Sequence, residues 1–549
     1  MKKLTILFAA FLLSLNSFSQ DEALQKGLDA ITLQAIQGQM EFLASDWTEG
    51  RETAHKGEYI AGDYIASIFK IYGLQAAGDI AYTEVSRADR YAGIRPQKYR
   101  TFFQDVFLMK SKRGDLQELQ VNSNTKNTKE SLSFNYRSDY SIRGYSSINI
   151  DFTAPLVFVG YGYTNEDEGY DDFKGVDVKG KIIVRLSGYP GYDNPESEAY
   201  EKFKPEGRYA WYYLSRDKNR IAKEKGAIAV IEVREGMEEY WAENDKFRFS
   251  SAYYEGDKEL GSGYDWDYSL IEDTLETEMI SISATNRLFN NILENTGINI
   301  AEYAEYTKEK MKPKSSEIKG KSIRIKSSVD TEIVKARNVI GVIEGEQPDS
   351  IIVIGGHYDH LGMHDGYIWN GADDNASGTV GVMTIAKAVL ATGVKPQKTL
   401  VFAAWTGEEK GLLGSRYFVD HPYKPVENII ANINLDMIAR STEKDTLENK
   451  LSIGYYKFYP SLKEMSLRIN EDYEIDLDLN FWESEGGGGS DHASFSRKKI
   501  PFTFFITGLH ADYHTPKDEL QKIDYEKMLR VIKLGFISAW EMANSTLKK

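Results

Sequence analysis

An unbroken β-branched run that stops at paired glycines, with cation-binding side chains immediately after it, leaves a chain little freedom in how it folds. Residues 351 to 378 read IIVIGGHYDHLGMHDGYIWNGADDNASG. Ile351, Ile352, Val353 and Ile354 show no polar alternation, the pattern of a strand covered on both faces in a parallel sheet. In such sheets chemistry gathers just beyond the carboxyl ends of the strands. Here His357-Tyr358-Asp359 stands at that end. Asp373-Asp374-Asn375 then opens a helix in which Val382, Ile385, Ala386, Val389 and Leu390 keep helical spacing.

A chain of 549 residues is too long for one ordinary core, so at least two folded units are expected. Hydrophobic content of 41% and charged content of 27% fit a globular protein. Lys2 and Lys3 precede the apolar run Leu4 to Leu15, and Ser17 and Ser19 stand where a small-x-small cleavage site belongs; residues 1–19 read as a secretory signal peptide. No later stretch is apolar and long enough to span a bilayer, so an exported protein of periplasm or medium is expected. Losing Lys2 and Lys3 takes the formal net charge from −16 to −18, which disfavours nucleic acid and anionic membranes as partners. The absence of Cys excludes disulfides, thiol catalysis and cysteine zinc sites.

Along the chain, LQAIQGQMEFLAS and YIAGDYIASIFKIYGL read as two helices joined by the polar turn TEGRETAHKGE. Residues 101–109 read as a strand, and the polar stretch from about Ser111 to Ser147 as a boundary. The segments 154–162, 178–188 and 228–233, with a helix-like 220–227, read as a separate α/β module. Aromatics are dense around it, including Tyr209, Trp211, Tyr212, Tyr213, Tyr240, Trp241, Tyr253, Tyr254, Tyr264, Trp266 and Tyr268. They read as a packed loop core, with a peptide-binding surface as the alternative. Glu302 to Ser328 is again Lys-rich and polar. Strands at 399–405, 429–438 and 500–508 then alternate with helices, Gly486 to Gly489 reads as a mobile loop, and a final helix from about Asp524 to Thr546 is capped by Asp524. The fold class is therefore α/β, a mostly parallel mixed sheet flanked by helices. The expected division is 20–115 and 323–549 for the main unit, with 116–322 inserted.

Each strand end in the second half delivers a polar group: His357 and Asp359, then Glu408 and Glu409, then Asp436, then Asp491, His492 and His514. One such residue is ordinarily a satisfied structural group. Gathered at one sheet edge, the carboxylates would repel and force protons onto one another. Divalent metal removes the difficulty, and imidazole with carboxylate and no thiolate suits catalytic zinc.

The ordered blocks H-x-D, G-A-x-D-N-A-S-G, G-E-E-x-G-L-x-G-S, N-x-D-M-I and Y-H-T-P-x-D, between His357 and Asp518, resemble those of the co-catalytic di-zinc exopeptidases. That family includes bacterial leucyl-type aminopeptidases, glutamate carboxypeptidases and the non-enzymatic transferrin receptor. The module with KGKIIVR and KEKGAIAVI resembles the protease-associated domain inserted in some members. The resemblance implies two zinc ions, one held by His357 and Asp436 and the other by Glu409 and His514, with Asp374 rather than Asp373 bridging them. It further implies Glu408 as general base for the metal-bridging water, Asp359 as the carboxylate that fixes the His357 ring, and Tyr513 as a donor to the developing oxyanion. The motif gives His360 and His364 no metal role, and it places Asp491 and His492 outside the ligand set.

The activity so implied is hydrolysis of N-terminal residues from peptides. A carboxypeptidase or dipeptidase of the same fold would need a cation for the substrate carboxylate, and Arg440 is the nearby Arg that could serve. A receptor-like binding protein would have lost ligands or base, and Glu408 and every zinc-ligand position remain. A glutaminyl cyclase fits the Y-H-T-P-K-D block less well.

Overall fold

The computed structural model describes residues 22–124, 129–136, 138–143, 148–206, 210–233, 266–275, 279–364 and 366–545. The expected signal peptide lies outside these residues, as do Tyr209, Tyr240, Trp241, Tyr253, Tyr254 and Tyr264. In the first half, α1 (Leu33–Leu43) and α2 (Lys56–Tyr72) precede the strands β1 (Phe103–Asn124), β2 (Ile150–Phe158), β3 (Ile182–Leu186), β4 (Ala229–Val233) and β5 (Ile280–Ala284). After these come β6 (Ser316–Ile343), β7 (Gln347–His357), α3 (Gly378–Ala391), β8 (Lys398–Trp405) and β9 (Ile429–Leu435). The last elements are β10 (Lys450–Tyr456), β11 (Asp478–Ser484), α4 (His492–Arg497), β12 (Phe502–Ile506) and α5 (Tyr525–Asn544).

The strands lie in the order β11-β10-β12-β9-β7-β8-β6-β2-β3-β4-β5. β7 sits between β8 and β9 and is parallel to both, and β12 is parallel to β9. This central placement explains the unbroken apolar run of β7. Ile352 and Ile354 face a core built with α1, α2, α3 and α5, while Ile351 and Val353 face a second core with Trp405, Phe418 and Phe495. Side chains alternate between faces, and because both faces are covered neither parity can be polar. The Asp524 side chain caps α5 by accepting from the Lys527 amide, as its sequence position suggests.

The first half departs from expectation. Ser111 to Asn124 is not a boundary but the continuation of β1, and the Lys-rich 316–328 is the start of β6. The two strands pair antiparallel from Phe103↔Val339 to Ser123↔Lys321, so the expected divisions at 115/116 and 322/323 fall within one continuous ribbon. Alternation in Leu119-Gln120-Val121-Asn122 and Ile323-Arg324-Ile325-Lys326 places Leu119, Val121, Ile323 and Ile325 inside, which a reading by overall polarity hides. Beyond the ribbon, β2 to β5 run parallel to one another over their own apolar clusters. The strands β10 and β11 were not anticipated from sequence; both are short and rich in aromatics and polar residues. Among the described residues no helix is long and apolar enough to cross a membrane.

Ile354→Ala should cost about 2–5 kcal/mol of stability, because a fully buried side chain leaves a cavity. Ile333→Ala, 61% exposed on β6, should stay within about 0.5 kcal/mol. Urea unfolding of both variants checks the assignment of core and ribbon.

Candidate metal centre

The parallel ends of β7, β8 and β9 converge because glycines let their backbones approach. A Cβ on Gly356 would lie 2.7 Å from the Leu435 carbonyl oxygen, and one on Gly378 would lie 2.2 Å from the same atom. His357 is the last residue of β7, Glu408 and Glu409 follow the turn after β8, and Asp436 directly follows β9. Between β7 and α3 the chain does not continue the helix as expected. Ala372–Ser377 forms a wide turn in which Asp374 is non-helical, and this aims its carboxylate back at the strand ends.

The two oxygens of Asp374 face different histidines. Oδ1 lies 3.4 Å from His357 Nε2, and Oδ2 lies 3.0 Å from His514 Nε2. His357 Nε2 is also 3.4 Å from Asp436 Oδ1, and His514 Nε2 is 3.2 Å from Glu409 Oε2. Two groupings with ligand-like spacing result, His357–Asp374–Asp436 and His360–Asp374–Glu409, and they share Asp374. Asp374 Oδ2 and Asp436 Oδ1 are buried with no hydrogen-bond partner among the described residues.

Electrostatics fit the same picture. Burial raises the Asp374 and Glu408 carboxyls, and Glu409 adds to both shifts. Burial disfavours charge on His514, yet Glu409 and Asp374 outweigh it and push the imidazole up to about 11. Protons held this way by ligand-type groups are those a divalent cation displaces on binding. The donor set, imidazole and carboxylate without thiolate, fits zinc.

The remaining expected residues fall as follows. The Glu408 carboxylate is 3.9 Å from His357 Nε2, on the wall of a cavity of about 540 Å³ that His357, Asp374, Asp436 and Tyr513 also line. Burial and four nearby carboxylates keep the Tyr513 hydroxyl protonated, able to donate. Asp359 departs from its expected part. Its Oδ1 is 3.8 Å from His357 Nδ1, which faces the Asp359 carbonyl at 3.2 Å instead. The carboxylate accepts the amides of Glu408 (3.0 Å) and Glu409 (3.3 Å) and the Thr53 hydroxyl (2.9 Å), so it fixes the loop after β8. His492 stacks on Phe504 at the cavity wall and burial holds it near 3; Asp491 beside it is pushed up to about 7 by burial. His364 faces the Leu361 carbonyl at 2.8 Å.

Sequence reasoning missed three supports. Arg51, fully buried, donates to the carbonyls of Leu43, Tyr358, Asn370 and Gly371 at 2.6 to 2.9 Å, tying the turn before α2 to both metal-facing loops. Thr53 comes from the same turn, which reads only as polar. Asp518, the last residue of the Y-H-T-P-x-D block, accepts the amides of Asp373 and Asp374 and so sets the wide turn.

Residues 338–536 match the model of peptidase family M28. This segment belongs to that family. The five sequence blocks all lie within the M28 segment. The chain is 30% identical over 188 residues to leupeptin-inactivating enzyme 1 of Streptomyces exfoliatus, covering 34% of this chain and 38% of that protein. It is 30% identical over 225 residues to aminopeptidase YwaD of Bacillus subtilis (strain 168), covering 39% of this chain and 46% of that protein. It thus spans less than half the length of these curated relatives. The fold is shared more widely. An aminopeptidase from Aneurinibacillus sp. strain AM-1 superposes with a TM-score of 0.54 at 19% identity, covering 96% of this chain and 98% of that one.

Removing the Arg51 guanidinium strands four buried carbonyls and a cluster of acids. Arg51→Met should cost about 3–5 kcal/mol, the usual penalty for breaking a buried ionic network. A urea midpoint that barely moves would mean water replaces the guanidinium.

Proposed function

We propose that this chain is an exported di-zinc metallo-exopeptidase that removes N-terminal residues from peptides. The observation that carries the reading is the shared Asp374, whose two oxygens face two separate histidine–carboxylate groups. Membership of residues 338–536 in peptidase family M28 and the aminopeptidase names of relatives support it. The expectation of export rests on the sequence of residues 1–19. On this reading His357 and Asp436 hold one zinc, Glu409 and His514 the other, and Asp374 both. Bound zinc supplies Lewis acidity to the scissile carbonyl and to water.

The chain's own residues do the rest. Glu408 accepts a proton from the attacking water and returns it to the departing amine. Burial holds its carboxyl well above the ordinary range, which suits a group that must keep a proton between the two steps. Tyr513, held neutral, donates to the oxygen on which charge develops. The Asp359 contacts keep Glu408 and Glu409 in place while this happens.

The amino end of the peptide is favoured over the carboxyl end by the fate of Arg440. Its Nη2 is 2.8 Å from Asp512 Oδ2 and its Nη1 is 3.6 Å from Asp518 Oδ1, so it is engaged away from the cavity wall. The cavity presents no free cation for a carboxylate among the described residues, and Trp482, Phe504, Ile506 and Leu509 suit an apolar first side chain.

Zinc-loaded protein should release chromophore from apolar amino-acid anilides and cleave peptides with an amidated carboxyl end, but not those with an acetylated amino end. Cleavage of acetylated peptides alone would establish a carboxypeptidase instead. Glu408→Gln should retain both metals and lose turnover by about 10²–10⁴-fold. Metal analysis alongside kinetics checks both halves, and unchanged turnover would remove Glu408 from the mechanism. Dialysis against a chelator should abolish hydrolysis, and added Zn²⁺ should restore it.

A further inference from the structure

The sequence holds a second imidazole in H-Y-D-H to which the motif assigns nothing. We propose that His360 is a positioning residue: its Nδ1–H donates to Glu409 Oε1 and so keeps Oε2 turned toward the cation shared with Asp374 and His514. The inference rests on the metal reading above and adds an arm to it. His360 Nδ1 is 2.8 Å from Glu409 Oε1, while His514 Nε2 is 3.2 Å from Oε2, so each oxygen of one carboxylate is engaged by a different ring.

The alternative is that Nδ1 is itself a ligand, since it also lies 3.8 Å from Asp374 Oδ2. The far side of the ring decides between them. Nε2 is buried and has no hydrogen-bond partner among the described residues. A ligand Nδ1 would place the ring proton on Nε2, where a buried N–H would go unsatisfied. A donating Nδ1 leaves only a lone pair there, the less costly orphan. The ring cannot turn away to resolve this. It is fully buried, a Cβ on Gly371 would lie 2.4 Å from its Cδ2, and its own amide is fixed to the Arg51 carbonyl at 3.1 Å. Partners that orient a ligating carboxylate are worth about 10–100-fold in metal affinity.

The test uses the zinc-loaded full chain labelled with ¹⁵N at its eight histidines, with His360→Gln to assign the resonance. Long-range ¹H–¹⁵N correlation should show His360 as the Nδ1–H tautomer. The Nε2–H tautomer would overturn the proposal in favour of direct ligation. In parallel, His360→Ala should weaken one of the two zinc ions by about 10–100-fold and leave the other within about twofold. His360→Gln, whose amide can still donate, should recover most of the loss. Equal binding of both ions by the alanine variant would also overturn it. If the alanine variant does not fold, the tautomer of the unmodified protein decides. Failure of the unmodified chain to bind zinc would overturn the metal reading itself, whereas two bound zinc ions with the wrong tautomer would overturn only the role of His360.

Discussion

Repulsion among buried acids is the constraint around which the second half of this protein is built. Asp359, Asp373, Asp374, Asp436, Asp491 and Asp518 are all buried near one sheet edge. Two like charges at 4 Å cost about 4 kcal/mol even at an effective dielectric of 20. A fold with a net stability of about 5–15 kcal/mol cannot hold several such pairs uncompensated. Different members are relieved in different ways. Asp359 and Asp518 accept backbone amides, and Asp512 and Asp518 have Arg440. Asp374, Asp436 and Glu409 face histidines at ion-pair distance, and Asp374 Oδ2 and Asp436 Oδ1 have no hydrogen-bond partner among the described residues. That remaining imbalance is what motivates assigning cations there.

The architecture delivers most of these groups from neighbouring strand ends. Parallel neighbours end at the same level, so consecutive strand ends contribute one or two side chains each and none must reach far. The apolar residues of β7 serve both flanking cores, which fixes the height at which His357 emerges. Support then comes from outside the sheet, from the turn between α1 and α2 and from the loop ending at Asp518.

Much of this was legible in the sequence. The doubly covered strand, the alternation of strands and helices, and the five motif blocks identify the fold and the M28 segment. The long ribbon was not, because polar composition masked a period-two pattern that only pairing with β6 makes meaningful. Arg51 and Thr53 carry no local signal at all. Apart from the Arg51–Leu43 bond, their side-chain contacts form with residues more than 300 positions away, and nothing short-range marks a polar turn as the underside of a site. The motif gives His360 no role because a motif is a list of positions, whereas a ring's proton inventory is a property of its surroundings. Asp359 shows the same limit: its place in the motif is evident, but the groups it binds depend on how the loop after β8 folds over it.

The bond from Arg51 to the Tyr358 carbonyl joins residues 307 apart, with the ribbon and the β2–β5 unit threaded between them. During synthesis the turn between the first two helices must therefore wait for these bonds until Tyr358, Asn370 and Gly371 have been made. Excising the stretch that matches the family would for the same reason yield a fragment without its own keystone, however complete its list of metal-facing residues.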